Sequence, residues 1–386
     1  MSKRTLLIIC SDPIVIAQHL IEIIRYLSSS FAITICTNTV SIGSYPNLSD
    51  LSKFALVKHI PICREPSPTR DLRSLFSLYH HISSVPYNLL LSFTPKAGLL
   101  LSLAYGLFKI SHPYSTCKRL HYFTGLIWQN LQSSSFKAFF LRSCDFVTCL
   151  TSYRILCDSK SQISTLTTSF PSLSPKFFVL GKGSLKGVDH TSFFPSRDLR
   201  LQFRSELAVD LDDFVLLFAG RVCRDKNISL LLSTFAEFTK HVSHARLIIV
   251  GPIEDSCFDF LKVSPPSGVI YHPFSSSLNR YYNCADVLCL PSSREGFGSV
   301  VIEASACALP SVASFIPGLV DSVSHLETGL LFSLIWPSSL LSSLLFLQRN
   351  PLLRLQFSRN AFEASQAHYS QFAVLSRLQS FLIALA

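Results

Sequence analysis

Two basic side chains lie close together in a loop of the second half of the chain. Gly220 and Arg221 directly follow the apolar run Phe214–Ala219, which reads as a buried strand, and Lys226 comes five residues after the arginine. Ligands of parallel sheets bind beyond the carboxyl ends of the strands. A guanidinium and an ammonium there can hold a diphosphate and stabilise it as it leaves. For the pair taken alone, a solvated basic turn is the better interpretation.

A second loop carries a glutamate, and another glutamate follows it on a predicted helix. The loop comes after the apolar run Val287–Leu290 and reads Pro291-Ser-Ser-Arg-Glu295-Gly-Phe-Gly298. Its glycines allow close approach of the backbone, and the helix that follows offers free N–H groups to an anion. Glu303, about one turn inside that helix, leans back toward the same end and suits the two hydroxyls of a ribose. Glu295 suits the hydroxyls of a sugar, whereas the helix dipole alone also explains Glu303.

The elements that position these loops follow from the alternation of short apolar runs with amphipathic segments. Such alternation predicts parallel sheets covered by helices on both faces. It pauses over 169–195, which is rich in proline and glycine, and then restarts, so we expect two α/β domains. The predicted strands are Leu6–Cys10, Ala32–Cys36, Ala55–Ile60, Leu89–Phe93, Arg119–Phe123, Phe146–Leu150, Phe214–Ala219, Leu247–Val250, Val269–Tyr271, Val287–Leu290 and Ser311–Phe315.

Composition excludes several classes of protein. The chain has 386 residues, 48% of them hydrophobic and 15% charged, which is too apolar for a disordered chain. Its 12 cysteines are scattered without a CxxC pair, so we expect a reduced, cytoplasmic protein without a structural zinc site. No secretory signal is visible, and no uncharged apolar run reaches the length of about 18 residues that a membrane span needs.

The net charge of +10 is unevenly distributed. Residues 1–195 hold 19 Lys and Arg against 8 Asp and Glu, a net of +11, whereas residues 196–386 hold 15 against 16, a net of −1. Such asymmetry suggests that the first half meets an anionic partner, and a solubility margin for an apolar protein is the alternative. A nucleic acid is not expected as that partner, because no recognition motif and no interleaved aromatic and basic run appears.

In combination and in this order, the loops resemble the family 4 retaining glycosyltransferases. The matching runs are Gly220–Asn227, Pro291–Pro310 and Glu327–Leu331, and the stretch Gly181–Asp189 resembles the one that precedes the nucleotide domain in that family. The resemblance is dense over 176–335. It implies the GT-B architecture, an α/β fold with two Rossmann-like parallel-sheet domains that face each other across a cleft.

The domain boundaries expected on this basis are 1–175 for the acceptor domain, 176–195 for the linker and 196–365 for the nucleotide-sugar domain. Residues 366–386 would form a helix that packs back toward the first domain. The family's motif implies that Arg221 and Lys226 contact the diphosphate, Glu295 faces the donor sugar and Glu303 the ribose. The complete expected donor-binding set is Gly220, Arg221, Lys226, Glu295, Gly296, Phe297, Gly298 and Glu303. No metal or other cofactor is implied, because the basic pair takes the electrostatic role of a metal.

The sequence departs from the family pattern at three places. Ala308 stands where a glycine is usual, and Ser11-Asp12-Pro13 replaces a glycine-rich loop after the first strand. Phe123-Thr124-Gly125 occupies the place of a histidine that many members carry. Thr124 is therefore the candidate catalytic residue of the first domain, and the nearby His121 is interpreted as structural.

The resemblance implies a hexosyltransferase that uses a UDP-sugar, in preference to a GDP-sugar, and extends a lipid-linked or polysaccharide acceptor in cell-surface glycan synthesis. The alternative is a catalytically silent, glycosyltransferase-like subunit that binds sugars or partner proteins. The basic first half would place the enzyme on the inner face of the cell membrane as a peripheral protein. The candidate contacts with anionic lipid are Arg64, Arg70 and Arg73, together with Lys109, Lys118 and Arg119 beside the apolar run Leu99–Phe108.

Overall fold

The computed structural model describes residues 3–63, 65–131 and 135–386. The chain divides into two compact units. The first contains Met1–Lys186 and Phe372–Ala386, and the second contains Gly187–Gln371. Each unit is built on one parallel sheet.

The first unit has, in its described residues, a seven-stranded sheet. Its strands are β1 (Arg4–Ile9), β2 (Phe31–Thr37), β3 (Ala55–His59), β4 (Leu89–Phe93), β5 (Lys118–Phe123), β6 (Arg154–Cys157) and β7 (Phe177–Phe178). The helices between them are α1 (Pro13–Val15), α2 (Ile21–Leu27), α3 (Pro68–Ser84), α4 (Pro95–Ser111), α5 (Phe136–Thr151) and α6 (Lys160–Ser169). The order β3-β2-β1-β4-β5-β6-β7, with every neighbouring pair parallel, is that of a Rossmann-like sheet.

The central strands explain why the apolar runs of the sequence are continuous rather than alternating. Every residue of β4 is buried, and so are the last four residues of β1. A strand with helices on both faces of its sheet has no side that meets water, so it needs apolar residues at successive positions. Asp12 then starts the first helix, because its carboxylate accepts a hydrogen bond from the Ile14 N–H at 2.9 Å and Pro13 fits the first turn.

The second unit, whose residues are all described, contains a six-stranded sheet. Its strands are β8 (Phe214–Ala219), β9 (Ala245–Val250), β10 (Val269–His272), β11 (Val287–Leu290), β12 (Ser311–Ser314) and β13 (Gly329–Phe332). Its helices are α7 (Arg197–Glu206), α8 (Ile228–Phe238), α9 (Phe260–Val263), α10 (Leu278–Cys284), α11 (Ser299–Ala306), α12 (Leu319–Ser322), α13 (Ser338–Arg349) and α14 (Pro351–His368). The parallel order β10-β9-β8-β11-β12-β13 repeats the Rossmann-like pattern, which confirms the predicted fold class.

The last helix, α15 (Gln371–Leu385), belongs almost entirely to the first unit. Its residues Leu375, Leu378 and Leu382 are buried in the same hydrophobic cluster as Leu6 and Ile8 of β1. The apolar spacing of three and four residues along α15 is therefore satisfied by the first sheet.

One predicted strand is wrong. The run Phe146–Leu150 forms the last part of α5, and the strand that follows it is β6 instead. The buried positions of α5 are Ala138, Asp145, Thr148 and Cys149, which recur at helical spacing. A short apolar run of this kind does not distinguish a strand from a buried helical turn by periodicity alone.

No helix in the described ranges is long and apolar enough to cross a membrane.

The backbone explains why a glycine is usual at the position of Ala308. Ala308 has a φ of 55°, in the left-handed region that costs a residue with a side chain about 1–2 kcal/mol. Glycine adopts this region freely but loses about 0.5–1 kcal/mol more chain entropy on folding. We therefore expect Ala308→Gly to stabilise the protein by about 0.5–1 kcal/mol and to raise its Tm by about 2 °C.

Differential scanning calorimetry checks this expectation, with Ala364→Gly inside α14 as the matched control. The control should lower stability by about 1 kcal/mol, because a helix interior disfavours glycine. Equal destabilisation by both substitutions would contradict the account of Ala308.

Candidate active site

The two loops with predicted chemistry lie side by side at one edge of the second sheet. Strand β8 ends at Ala219 and β11 at Leu290, and the two strands pair directly through Leu216 and Val287. The strand order reverses between them, since β9 lies on the other side of β8 and β12 on the other side of β11. Open α/β sheets bind ligands at such a reversal of strand order, beyond the carboxyl ends of the strands.

Hydrogen bonds connect the first loop, 220–227, to the second loop, 291–298. The Asn227 side-chain amide donates to the Pro291 carbonyl at 2.9 Å. The Ser293 N–H and hydroxyl both donate to the carbonyl of Asp225, at 2.8 and 3.0 Å. Backbone and side-chain groups of both loops therefore fix their relative position.

Lys226 and Glu295, predicted separately on the two loops, form an ion pair. The Lys226 ammonium contacts Glu295 Oε1, and the Ser292 hydroxyl donates to the same oxygen at 2.8 Å. Both charged side chains are mostly withdrawn from water, with exposures of 12% and 13%. The structure thus brings together the residue expected at the diphosphate and the residue expected at the donor sugar.

Arg221, on the same loop as Lys226, lies near two other carboxylates. Its guanidinium binds Glu254, in the loop after β9, and lies 3.7 Å from Asp225 Oδ2. Burial lowers the pKa of Arg221, but the attraction of Glu254 and Asp225 outweighs it, so the pKa is raised overall. The guanidinium is therefore held in its charged form.

Asp225 is surrounded by hydrogen-bond donors. The Arg294 guanidinium donates to its Oδ2 at 2.9 Å, and the Cys223 thiol donates to its Oδ1. Burial would raise the pKa of Asp225, but these two hydrogen bonds and the charge of Arg221 lower it. Burial and the neighbouring carboxylate raise the pKa of Cys223 to about 12, so the thiol keeps the proton that it donates.

Glu303 lies on α11, as predicted, and is oriented by an aromatic residue of another helix. The Tyr282 hydroxyl of α10 donates to Glu303 Oε2 at 3.0 Å. Tyr282 is buried, and its burial followed by the charge of Glu303 raises its pKa well above the usual value. The tyrosine therefore remains a hydrogen-bond donor to the carboxylate.

Two glycines, one in the second loop and one outside it, lie where a side chain would collide with neighbouring atoms. Gly298 precedes α11 with a φ of 80°, and a Cβ there would lie 2.6 Å from Leu319. A Cβ on Gly318 would lie 2.8 Å from the carbonyl oxygens of both Glu295 and Gly296. The path of the loop past Glu295 thus depends on a glycine outside it, at position 318.

Phe297 has a side chain that packs away from the charged groups. It is buried in a small cluster with Val188, Ile302 and Tyr369, and its ring lies 5.5 Å from that of Tyr369. Its side chain therefore anchors the loop, while its backbone stays beside Glu295.

In the first unit, Thr124 directly follows β5 and is exposed at the carboxyl edge of the sheet. His121 is fully buried inside β5, where its Nδ1 lies 2.8 Å from the Ser92 hydroxyl. Burial, with a smaller effect of the charge on Arg119, lowers the pKa of His121 well below the usual value. A neutral, buried histidine agrees with the structural role expected for it.

Sequence reasoning missed the side chains that contact the predicted site residues. Glu254 and Tyr282 lie 33 and 21 residues from their partners Arg221 and Glu303, so no local run connects them. Asp225 precedes Lys226 directly, and its position between two basic residues was the one available signal. In the parts of the chain that are described, no three His, Cys, Asp or Glu side chains cluster as metal ligands would.

Comparisons with known proteins bear on these loops. The family described as "Glycosyl transferases group 1" matches residues 200–364. Among curated proteins, the capsular polysaccharide biosynthesis glycosyltransferase CapM of Staphylococcus aureus is 30% identical over 280 residues, which are 70% of this chain and 70% of that protein.

Solved structures share the fold. Sucrose-phosphate synthase of Thermosynechococcus elongatus superposes with a TM-score of 0.81 at 18% identity over 99% of each chain. HepE of Anabaena, in complex with UDP and glucose, superposes with a TM-score of 0.78 at 16% identity over 99% of this chain and 100% of that one. At these identities the likeness concerns the fold alone, whereas the match to CapM extends over most of the sequence. The chain belongs to the group 1 glycosyltransferases, as the motifs around Arg221 and Glu295 predicted.

Proposed function

We propose that this glycosyltransferase transfers a hexose or N-acetylhexosamine from a nucleotide-sugar to a lipid-linked or polysaccharide acceptor in cell-surface glycan synthesis. A UDP-sugar is the preferred donor over a GDP-sugar. The observation that carries the proposal is the ion pair of Lys226 and Glu295 between the loops that follow β8 and β11, with Arg221 on the first of these loops. Two relatives support the choice of donor and product: CapM is a glycosyltransferase of capsular polysaccharide biosynthesis, and HepE binds UDP and glucose.

The proposed chemistry uses the residues of the two loops. Arg221 and Lys226 bind the diphosphate and stabilise the negative charge that develops on it as its bond to the sugar breaks. Glu295 accepts hydrogen bonds from the donor sugar, and Glu303, oriented by Tyr282, accepts them from the ribose. The basic pair supplies the positive charge that a metal ion supplies in other transferases, so we propose catalysis without a metal.

We propose that the configuration at the anomeric carbon is retained. The acceptor hydroxyl attacks from the face that the nucleoside diphosphate leaves, and its proton passes to the leaving phosphate. The acceptor domain is the first unit, where Thr124 is exposed at the carboxyl edge of its sheet and is the candidate contact with the reacting groups.

We further propose that the first unit binds an anionic membrane surface, on which a lipid-linked acceptor would lie. Not all of the residues predicted to contact lipid are accessible in the structure. Arg119 is fully buried and donates to the carbonyls of Gly98 and Thr148, so it cannot contact lipid. The run Leu99–Phe108 lies in α4, where half of its residues are buried, and Arg64 lies outside the described residues.

The adjacent helices α4 and α5 expose apolar side chains, two of them within the run Leu99–Phe108. Phe136, Phe139 and Phe140 of α5 are 82%, 67% and 54% exposed. We name the α4–α5 surface by its exposed apolar residues, which are Leu103, Leu107, Ile110, Phe136, Phe139 and Phe140. Aromatic side chains on a helix beside lysine and arginine are typical of segments that lie in the membrane interface.

The charge around the α4–α5 surface favours an anionic partner. Helices α3, α4 and α5 carry six Lys and Arg and two Asp. Of the two, Asp71 pairs with Lys96 at 2.6 Å and Asp145 is buried. Arg73 and Lys137 are exposed. Each basic residue near anionic lipid contributes about 1 kcal/mol of attraction.

Substitution of the basic pair tests the donor site. Arg221→Ala and Lys226→Ala should each lower turnover by a factor of about 10² or more, because both oppose charge on the leaving diphosphate. Turnover of UDP- and GDP-sugars is measured, with Arg359→Ala on α14 as the control. Near-normal turnover in both variants would contradict the diphosphate contacts. Binding of nucleotide-sugars with turnover at the blank rate in the wild type would instead indicate a silent subunit.

Substitutions of Glu295 and Glu303 should affect different quantities, turnover for the first and nucleotide affinity for the second. Glu295→Gln should lower turnover more than UDP affinity, because the group that it contacts is the transferred sugar. Glu303→Ala should weaken the binding of free UDP, and Tyr282→Phe should reproduce part of that loss by removing the hydrogen bond to the carboxylate. Titration calorimetry with UDP distinguishes them. Loss of UDP binding in Glu295→Gln with retention in Glu303→Ala would reverse the assignment.

Flotation with lipid vesicles tests the membrane surface. The protein should rise with phosphatidylserine vesicles at low salt and leave them at high salt, because salt screens exposed charges over about 10 Å at 0.1 M. Phe139→Ser combined with Phe140→Ser should reduce the floated fraction severalfold, whereas Phe274→Ser, an exposed aromatic of the second unit, should not. Equal recovery with neutral and anionic vesicles, or none with either, would contradict the proposal.

A further inference from the structure

Asp225 makes several of the contacts that hold the two loops of the proposed donor site together. Its carboxylate accepts hydrogen bonds from Cys223 and Arg294 and lies 3.7 Å from the Arg221 guanidinium. Its backbone carbonyl accepts two more hydrogen bonds from Ser293. Asp225 therefore attracts the Arg221 guanidinium of its own loop and binds Arg294 and Ser293 of the second loop through hydrogen bonds.

Glu254 makes a simpler contact with the same guanidinium. Its side chain binds Arg221 and is 39% exposed, whereas the Asp225 side chain is 26% exposed and has several donors. A diphosphate that binds the Arg221 guanidinium competes with Glu254 for its N–H groups, and with the weaker attraction of Asp225, which lies 3.7 Å away. The carboxylate with the fewer hydrogen bonds and the greater access to water is displaced at the lower cost, and that carboxylate is Glu254.

We infer that Asp225 is a positioning residue, which keeps Arg221 and the 291–298 loop aligned through donor binding, and that Glu254 occupies Arg221 only until the donor diphosphate replaces it. This inference rests on the proposed donor site. Asp225 itself does not contact the donor and acts through Arg221 and Arg294. The two carboxylates on one guanidinium thus have opposite effects, since one orients the group and the other competes with the ligand.

Substitutions of Asp225 and Glu254 should therefore change UDP binding in opposite directions, which tests the inference. Asp225→Asn keeps the size of the side chain but removes its charge, so kcat/KM for a UDP-sugar should fall about tenfold and UDP should bind more weakly. Asp225→Glu, which restores the carboxylate, should recover part of the loss. Glu254→Gln should strengthen UDP binding about two- to fivefold, because it removes the competing charge from Arg221.

A double-mutant cycle shows whether Asp225 acts through Arg294. Asp225→Asn combined with Arg294→Ala should lose less than the product of the two single losses, because both break the same contact. The Tm of each variant is measured alongside, so that loss of the fold is recognised. A loss in Asp225→Asn that is accompanied by a large fall in Tm, and that Asp225→Glu does not rescue, would overturn the positioning role.

The results also separate this inference from the proposed function. If Arg221→Ala loses turnover while Asp225→Asn keeps wild-type kcat/KM, the donor site stands and the positioning role is wrong. If Glu254→Gln weakens UDP binding, the displacement of Glu254 is wrong. If Arg221→Ala and Lys226→Ala also keep full turnover, the donor binds elsewhere and the proposed function of these loops fails.

Discussion

The ion pair between Lys226 and Glu295 is the interaction on which the arrangement of the site depends. Two charges that are nearly seven-eighths withdrawn from water require partners, and a buried charge left alone is strongly destabilising. Each therefore satisfies the other, with the Ser292 hydroxyl as a further donor to the carboxylate. A ligand that enters must offer both an anion for the lysine and hydrogen-bond donors for the glutamate. A nucleotide-sugar carries both kinds of group on adjacent parts of one molecule, which agrees with the proposed function.

The ion pair of Lys226 and Glu295 depends on the order of the strands in the second sheet. Lys226 and Glu295 are 69 residues apart, and their loops meet only because β8 and β11 are neighbours at the centre of the sheet. This neighbourhood in turn needs the connection through α8, β9, α9, β10 and α10, which completes one half of the sheet before the chain returns to its centre. The fully buried strands β8 and β11 stabilise the sheet at the place where the charged loops are attached. Apolar burial below the loops thus offsets the cost of withdrawing charges from water above them.

The sequence predicts the fold and the local chemistry better than the contacts between distant residues. Continuous apolar runs identify most strands, because a sheet covered on both faces needs them. They misassign Phe146–Leu150, where a helical turn has the same composition. Arg119 was wrongly placed on a lipid-facing surface, because its charge is visible in the sequence and its burial against Thr148 and Gly98 is not. For the same reason Glu254 and Tyr282, which have no local motif, appear only in the structure.

The two units also differ in how some of their cations are satisfied. Most cations of the second unit pair with carboxylates, as Arg200 and Arg204 do with Asp286. In the first unit Lys109, Lys118 and Lys176 donate instead to backbone carbonyls, which satisfies their hydrogen bonds and leaves their charge uncompensated. A carbonyl carries only a partial charge, so the first unit keeps a positive field that extends into solvent. In the loops 220–227 and 291–298, by contrast, Arg221, Lys226 and Arg294 each have a carboxylate partner, so their charge is largely compensated within the site.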